Sequence, residues 1–167
     1  MSDAPRTDRA PRKAGSAERV RTYLETHGLA DALVHFEQST KTAQMAADAM
    51  GCELGQIVKS LVFVVEGRPV LALVAGDRRG DGAAIAALMG GTKASFADAD
   101  TVRDSTGYAI GGVSPFDLPP ELPVYVDDSL ARFETVYPAG GTPSSMVRMT
   151  FERLLEICGG TVERIAE

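Results

Sequence analysis

Apolar residues crowd into two short runs between residues 57 and 75, IVKSLVFVV and PVLALVA, with Glu66, Gly67 and Arg68 between them. β-Branched and aliphatic side chains dominate both runs and the Glu-Gly-Arg step is turn chemistry, so the pattern predicts a β-hairpin. Upstream, Val20, Tyr23, Leu24 and His27 fall on one stripe of a helix with Ser16 as its cap and Gly28 as its stop. The segment ALVHFE (residues 32–37) reads as a short strand, and after it comes an Ala/Met helix that Ser39, Thr40 or Thr42 caps and Gly51 ends. Downstream, Asp81 is placed to cap GAAIAALMG, TKASFA has strand character, and Asp98 opens a helix that Gly107 closes. The last third predicts strands in LPVYVDD, ETVYPAGG and SMVRMT, a turn in SLARF, a helix FERLLEICG capped by Thr150, and a closing strand TVERIA.

Strands that follow one another with only short helices between them favour an α+β domain over a doubly wound parallel sheet. The sheet is expected to be mixed or antiparallel, with a curved, barrel-like form open to it. The 167-residue length suits one domain with a real core and is short for two. That domain is assigned to residues 16–167. Residues 1–15 have neither the periodicity that buries a face nor the apolar stretch of a secretory signal, and are expected to form a disordered tail.

Composition narrows the function classes. With 44% hydrophobic and 24% charged residues and no apolar run near the length that spans a bilayer, no membrane partner is expected. A net charge of −6 argues against gripping nucleic acid by bulk electrostatics and, with no basic helix, against a specific DNA binder. A local basic patch is still compatible with that charge, and the tail carries Arg6, Arg9, Arg12 and Lys13. Cys52 and Cys158 stand far apart with no CxxC pattern, so neither a disulfide framework nor a metal site is indicated. Free thiols fit a cytoplasmic protein, and no cofactor is expected.

One residue departs from plain packing. Because side chains alternate along a strand, Ile57, Lys59, Leu61, Phe63 and Val65 share one face and Val58, Ser60, Val62 and Val64 the other. Both faces are apolar, so the strand is expected to be central and the Lys59 ammonium to face a low-dielectric region. Two readings stand: Lys59 snorkels to solvent or pairs with a structural Asp, or it is a cation on a pocket wall that holds an anionic or carbonyl oxygen. The loops GYAIGGVSPFDLP (residues 107–119) and PAGGTPSS (residues 138–145) suit a close approach of backbone to a ligand, although neither has the GK[ST] ending of a phosphate-cradling P-loop. Asp127 and Asp128 are adjacent on a strand and point to opposite sides, which favours capping of SLARF over a paired-carboxylate site. His35, mid-strand, reads as a packed histidine, and no HExxH or GxSxG motif is present.

Taken in order, GQIVKSLVFVVEGRPVLALVAGD, GYAIGGVSPF and LPVYVDDSLARFETVYPAGG resemble the YbaK/prolyl-tRNA synthetase-associated domain family of aminoacyl-tRNA deacylases, over about residues 33–165. The resemblance implies a mixed α+β fold on a curved, barrel-like sheet. It also implies hydrolysis of the ester joining a wrong amino acid to the 3′-terminal adenosine of a tRNA. Lys59 falls on the family's essential lysine. The loop Gly111, Gly112, Val113, Ser114 and Pro115 falls on its GxxxP motif, which holds the aminoacyl end. Asp128 with Ser129, and Ala139 with Gly140, match its Asp-rich strand end and later glycine loop. An aminoacyl ester is already activated, so positioning a water and stabilising the oxyanion would suffice without a triad or a metal.

GGTPSSMVRM lacks the Arg-Gly pair of some family members, which turns the reading away from the cysteinyl-tRNA subgroup. The expected substrate is tRNA(Pro) carrying Ala, Ser, Cys or a small non-protein amino acid, met alone or through prolyl-tRNA synthetase. A non-catalytic module that binds an aminoacyl-tRNA or a synthetase is the alternative, and the retained Lys59 argues against it.

Overall fold

Glu66 and Gly67 both adopt positive φ, at 50° and 82°. Two such residues in succession make the tight turn whose twist matches that of the strands it joins. The computed structural model, which describes residues 15–167, therefore joins β2 (Ile57–Val65) to β3 (Arg68–Ala75) through two residues only. Arg68, expected in the turn, instead pairs with Val65. The expected tail lies, apart from Gly15, outside the described residues.

Around this hairpin a mixed sheet runs in the order β8-β6-β2-β3-β5-β9, with β4 (Ala94–Phe96) also on β2. The other members are β5 (Val124–Asp127), β6 (Thr135–Pro138), β8 (Met149–Thr150) and β9 (Thr161–Glu163). A separate antiparallel pair joins β1 (Leu33–His35) to β7 (Ser145–Val147). The fold is α+β, a curled half-barrel sheet flanked by five helices among the described residues. SMVRMT divides into β7 and β8 because its first half pairs with β1, a pairing that the Arg148 N–H extends by donating to the Ala32 carbonyl, and Met149–Thr150 pair with β6.

The helices are α1 (Ser16–Thr26), α2 (Ala43–Met50), α3 (Gly82–Leu88), α4 (Ala99–Thr106) and α5 (Phe151–Cys158). Side-chain caps close four N-termini: Thr42 accepts from Met45, Asp81 from Ala83 and Ala84, Asp98 from Thr101, and Thr150 from Arg153. Ser16 does not cap α1, because the helix begins one residue earlier than expected, with Gly15 at the cap position and Ser16 inside the first turn.

The sheet is buried on both faces, as the two-sided apolar pattern of β2 requires. Val58, Val62, Leu71, Leu73 and Val126 pack on one face with Val20 and Leu24 of α1, Val102 of α4 and Leu154 of α5. Phe63, Val65, Val70, Ala72 and Val74 pack on the other with Ile85 and Ala86 of α3 and with Ile165. A third cluster sets Ala46 and Ala47 of α2 on Ile57, Tyr137 and Met146, and this places α2 beside the start of β2.

Candidate active site

β2 has a complete partner on one side only. β3 pairs with residues 58–65, but on the other side β6 meets only Ile57 and Val58, and β4 meets only Phe63, Val64 and Val65. Residues 59–62 therefore have no strand beside them on that edge among the described residues. The direction of the backbone groups follows from two bonds: Gly76 N–H donates to the Ile57 carbonyl on the β3 side, and Ala97 N–H to the Val62 carbonyl on the other. Strand polar groups alternate in direction. The N–H and C=O of Ser60 thus face the open interval, while those of Lys59 and Leu61 bond to β3. Ser60 Oγ is itself buried and has no hydrogen-bond partner among the described residues.

A cavity of about 400 Å³ opens at this interval. Its floor is Val58, Lys59, Ser60, Leu61 and Val62 of β2, and its walls come from α2 with the preceding Thr40–Thr42 turn, from Phe96 at the end of β4 with Ala97 after it, and from Ile110, Gly111 and Val113. Two lysines, Lys41 and Lys59, line it, and no Asp or Glu among the described residues does. In a chain of net charge −6 this is a local reversal of sign. It makes the cavity a site for an anion or for a developing negative charge.

Lys59 is half-buried and its Nζ donates to the Arg78 carbonyl. Burial pushes its pKa below the ordinary lysine value; the charge of Asp77 works against that shift and that of Arg79 adds to it. Asp77 is not its ion-pair partner, because both Asp77 oxygens are taken by the Arg132 guanidinium at 2.8 and 3.1 Å. Lys59 therefore lies in the cavity wall with its ammonium bonded to one carbonyl and to no carboxylate among the described residues.

The wall opposite β2 is a loop held from three directions. Gly111 sits at φ 92°, where a side chain is strained, and its backbone lines the cavity. Gly112 lies against the second glycine loop: an added Cβ would come within 3.2 Å of the Thr142 backbone. Behind them Tyr108, fully buried, donates to the Phe116 carbonyl at 2.6 Å. Burial pushes the Tyr108 phenol up to about 12, so it stays a donor. Arg19 of α1 lies 4.4 Å over the Tyr108 ring and donates to the carbonyls of Gly107 and Asp117 and to Asp117 Oδ2.

The family model described as aminoacyl-tRNA editing domain matches residues 37–157. That stretch contains the open interval of β2, the cavity and both glycine loops. The chain belongs to the aminoacyl-tRNA editing domain family. The enzyme class that goes with it is a hydrolytic trans-editing deacylase.

Relatives of this editing domain cover most of its length. It is 38% identical over 142 residues to uncharacterized protein YwhH of Bacillus subtilis (strain 168), spanning 84% of this chain and 90% of that one. It is 31% identical over 143 residues to the multifunctional Ser/Thr-tRNA deacylase ProXp-y of Escherichia coli (strain K12), spanning 82% and 85%. A crystal structure of a proposed trans-editing enzyme for prolyl tRNA synthetase superposes with a TM-score of 0.83 at 44% identity, over 91% of this chain and 97% of the other.

The sequence-predicted site residues of the editing domain divide into two sets. Lys59, Gly111, Val113 and Ala139 line the cavity together. Gly112 and Gly140 stand just behind it as packing points, Gly140 having no room for a Cβ beside Ser145 Oγ (2.6 Å) and Leu33 Cδ1 (2.7 Å). Ser114 is fully buried with no hydrogen-bond partner for its Oγ among the described residues, and Pro115 faces a different cavity, beside Tyr23 and Leu118.

Asp128 is exposed and outside the cavity. The buried carboxylate is Asp127, which accepts from Ser129 N–H, Ser129 Oγ and Ile165 N–H and so caps the 3₁₀ turn Asp128–Arg132. Lys41, Ser60 and Phe96 are cavity residues that sequence reasoning did not select. Lys41 and Phe96 sit in segments with no motif. Ser60 carried one signal, a hydroxyl among Val58, Val62 and Val64 on an apolar face.

No group of His, Cys, Asp or Glu among the described residues is arranged to hold a metal ion. No helix among them is long and apolar enough to cross a membrane.

Proposed function

We propose that this deacylase cleaves the ester of tRNA(Pro) mischarged with a small amino acid, and that Lys59 is the residue on which the reaction depends. The carrying observation is the cavity at the open interval of β2, with two lysines and no carboxylate in its lining among the described residues. A cavity of about 400 Å³ is at the small end for a ligand site, so an aminoacyl nucleoside fits only with a short amino-acid side chain. The prolyl assignment draws support from the relation to a proposed trans-editing enzyme for prolyl tRNA synthetase.

In this reading the acceptor end enters between the Gly111–Pro115 loop and β2. Lys59 gives up its bond to the Arg78 carbonyl and holds an oxygen of the substrate, phosphate or ester carbonyl, on which charge sits or develops. The N–H of Ser60 and the loop backbone at Gly111 supply further donors. Water attacks the acyl carbon, the bond from that carbon to the ribose oxygen breaks, and the water proton ends on the released ribose hydroxyl. The residues work by placement and electrostatics, since no lining hydroxyl is hydrogen-bonded to a side-chain base among the described residues.

Deacylation of a panel of mischarged tRNAs tests both parts. Hydrolysis of alanyl-, seryl- or cysteinyl-tRNA(Pro) well above the rate in buffer is expected, with Lys59→Ala lowering kcat/KM by about 100-fold or more. If no ester is cleaved faster than in buffer, the deacylase assignment falls. If Lys59→Ala is as active as the native chain, the assignment stands and the role of Lys59 falls.

A further inference from the structure

Five large hydrophobic side chains are conspicuously exposed among the described residues, and the two most exposed, Phe96 at 70% and Ile110 at 57%, both line the cavity mouth. Phe96 ends the short edge strand β4, and its ring is stacked on Phe63 with centroids 4.6 Å apart and planes 27° apart. Phe63 is 3% exposed and fixed in the core, so the Phe96 ring is pinned from behind while most of its surface stays open to solvent. The register Phe63↔Phe96 puts Phe96 on the same face of the sheet as Leu61 and Lys59. Lys59 and Phe63 stand four positions apart on β2, about 13 Å along the strand, so Lys59 and the Phe96 ring border the same groove.

We infer that Phe96 is a stacking platform for the terminal adenine of the acceptor end, with Ile110 covering the base from the opposite lip. The inference rests on the deacylase reading and deepens it by assigning the nucleobase subsite. The occupant follows from the pairing of properties: a flat apolar ring surface and two lysines in one lining, with no carboxylate there among the described residues, match a base joined to an anionic backbone. An apolar peptide would make no use of the lysines, and a second copy of the chain is distinguished by its oligomeric state.

The test compares native chain, Phe96→Ala, Phe96→Leu and Phe96→Tyr in steady-state deacylation of mischarged tRNA. Binding of an uncharged CCA-ended oligonucleotide and of the same oligonucleotide without its last A is measured in parallel. Phe96→Ala and Phe96→Leu are expected to raise KM about tenfold, with a smaller effect on kcat, and to abolish the preference for the A-ended oligonucleotide. Phe96→Tyr, which keeps a stacking ring, should behave as the native chain. Unchanged KM in Phe96→Ala overturns the proposal, and so does native behaviour of Phe96→Leu, which would mean that apolar area alone matters. A change of oligomeric state by light scattering in Phe96→Ala also overturns it, because the surface would then be a contact between copies. If the native chain cleaves no ester, the deacylase reading fails, and the oligonucleotide measurement still decides the stacking: a native chain indifferent to the last A overturns it.

Discussion

Lys59 holds a positive charge where burial opposes it, and that opposition has a measurable consequence. Its pKa lies below the ordinary lysine value because desolvation penalises the ammonium. If the charged form is the working one, kcat/KM falls as pH rises through this lowered pKa. The fall should come at lower pH than an ordinary lysine would give, since kcat/KM reports the free enzyme. A bound anion favours the ammonium, so the corresponding limb in kcat should lie at higher pH. A pH profile corrected for spontaneous ester hydrolysis checks both limbs; coincident limbs, or none, would remove the titration of Lys59 from the mechanism. Asp127 and Asp128 allow a second contrast between neighbours. Asp127→Ala leaves the N–H groups of Ser129 and Ile165 without their acceptor and should cost about 2 kcal/mol in urea denaturation, whereas Asp128→Ala, at an exposed carboxylate, should change stability little.

Among the elements, the hairpin was the most legible because its signals are local: β-branched runs set the strands, and a Glu-Gly step can take two positive φ values in succession. The cap residues Asp81, Asp98 and Thr150 were legible for the same reason, since each bonds an N–H two or three residues on. The opening of the site was not legible. It exists because β6 stops at Pro138, opposite Val58, and β4 ends at Phe96, opposite Phe63, and no residue from 59 to 62 announces that its neighbours will be missing. The end of the hairpin is fixed by contact with a turn. Gly76 passes so close to the Leu54 carbonyl and Ile57 that an added Cβ has no space. Gly76→Ala should therefore destabilise the fold by about 2–4 kcal/mol, read from the denaturation midpoint, although the change is a single methyl group.

At the scale of the whole molecule, the site depends on a clamp between distant segments. Arg19 reaches 98 residues along the chain to Asp117, and its stacking over Tyr108 ties α1 to the loop that walls the cavity. Arg19→Ala should lower stability by about 1–2 kcal/mol, faster amide exchange should appear in residues 107–118, and kcat/KM should drop. Loss of stability with native exchange in that loop would mean that the clamp serves α1 alone.

The sequence by itself determined what short-range chemistry determines: the hairpin and its turn, most helix caps, a two-sided apolar strand, and the anomaly of a lysine within it. The tertiary structure decided which partners the edges of that strand receive and which they lack. It also turned Asp127 inward and Asp128 out, and brought Lys41 and Phe96 to the same mouth as Lys59. These are pairings between residues far apart in the chain, fixed by how whole faces bury against one another, and no local pattern of side chains encodes them.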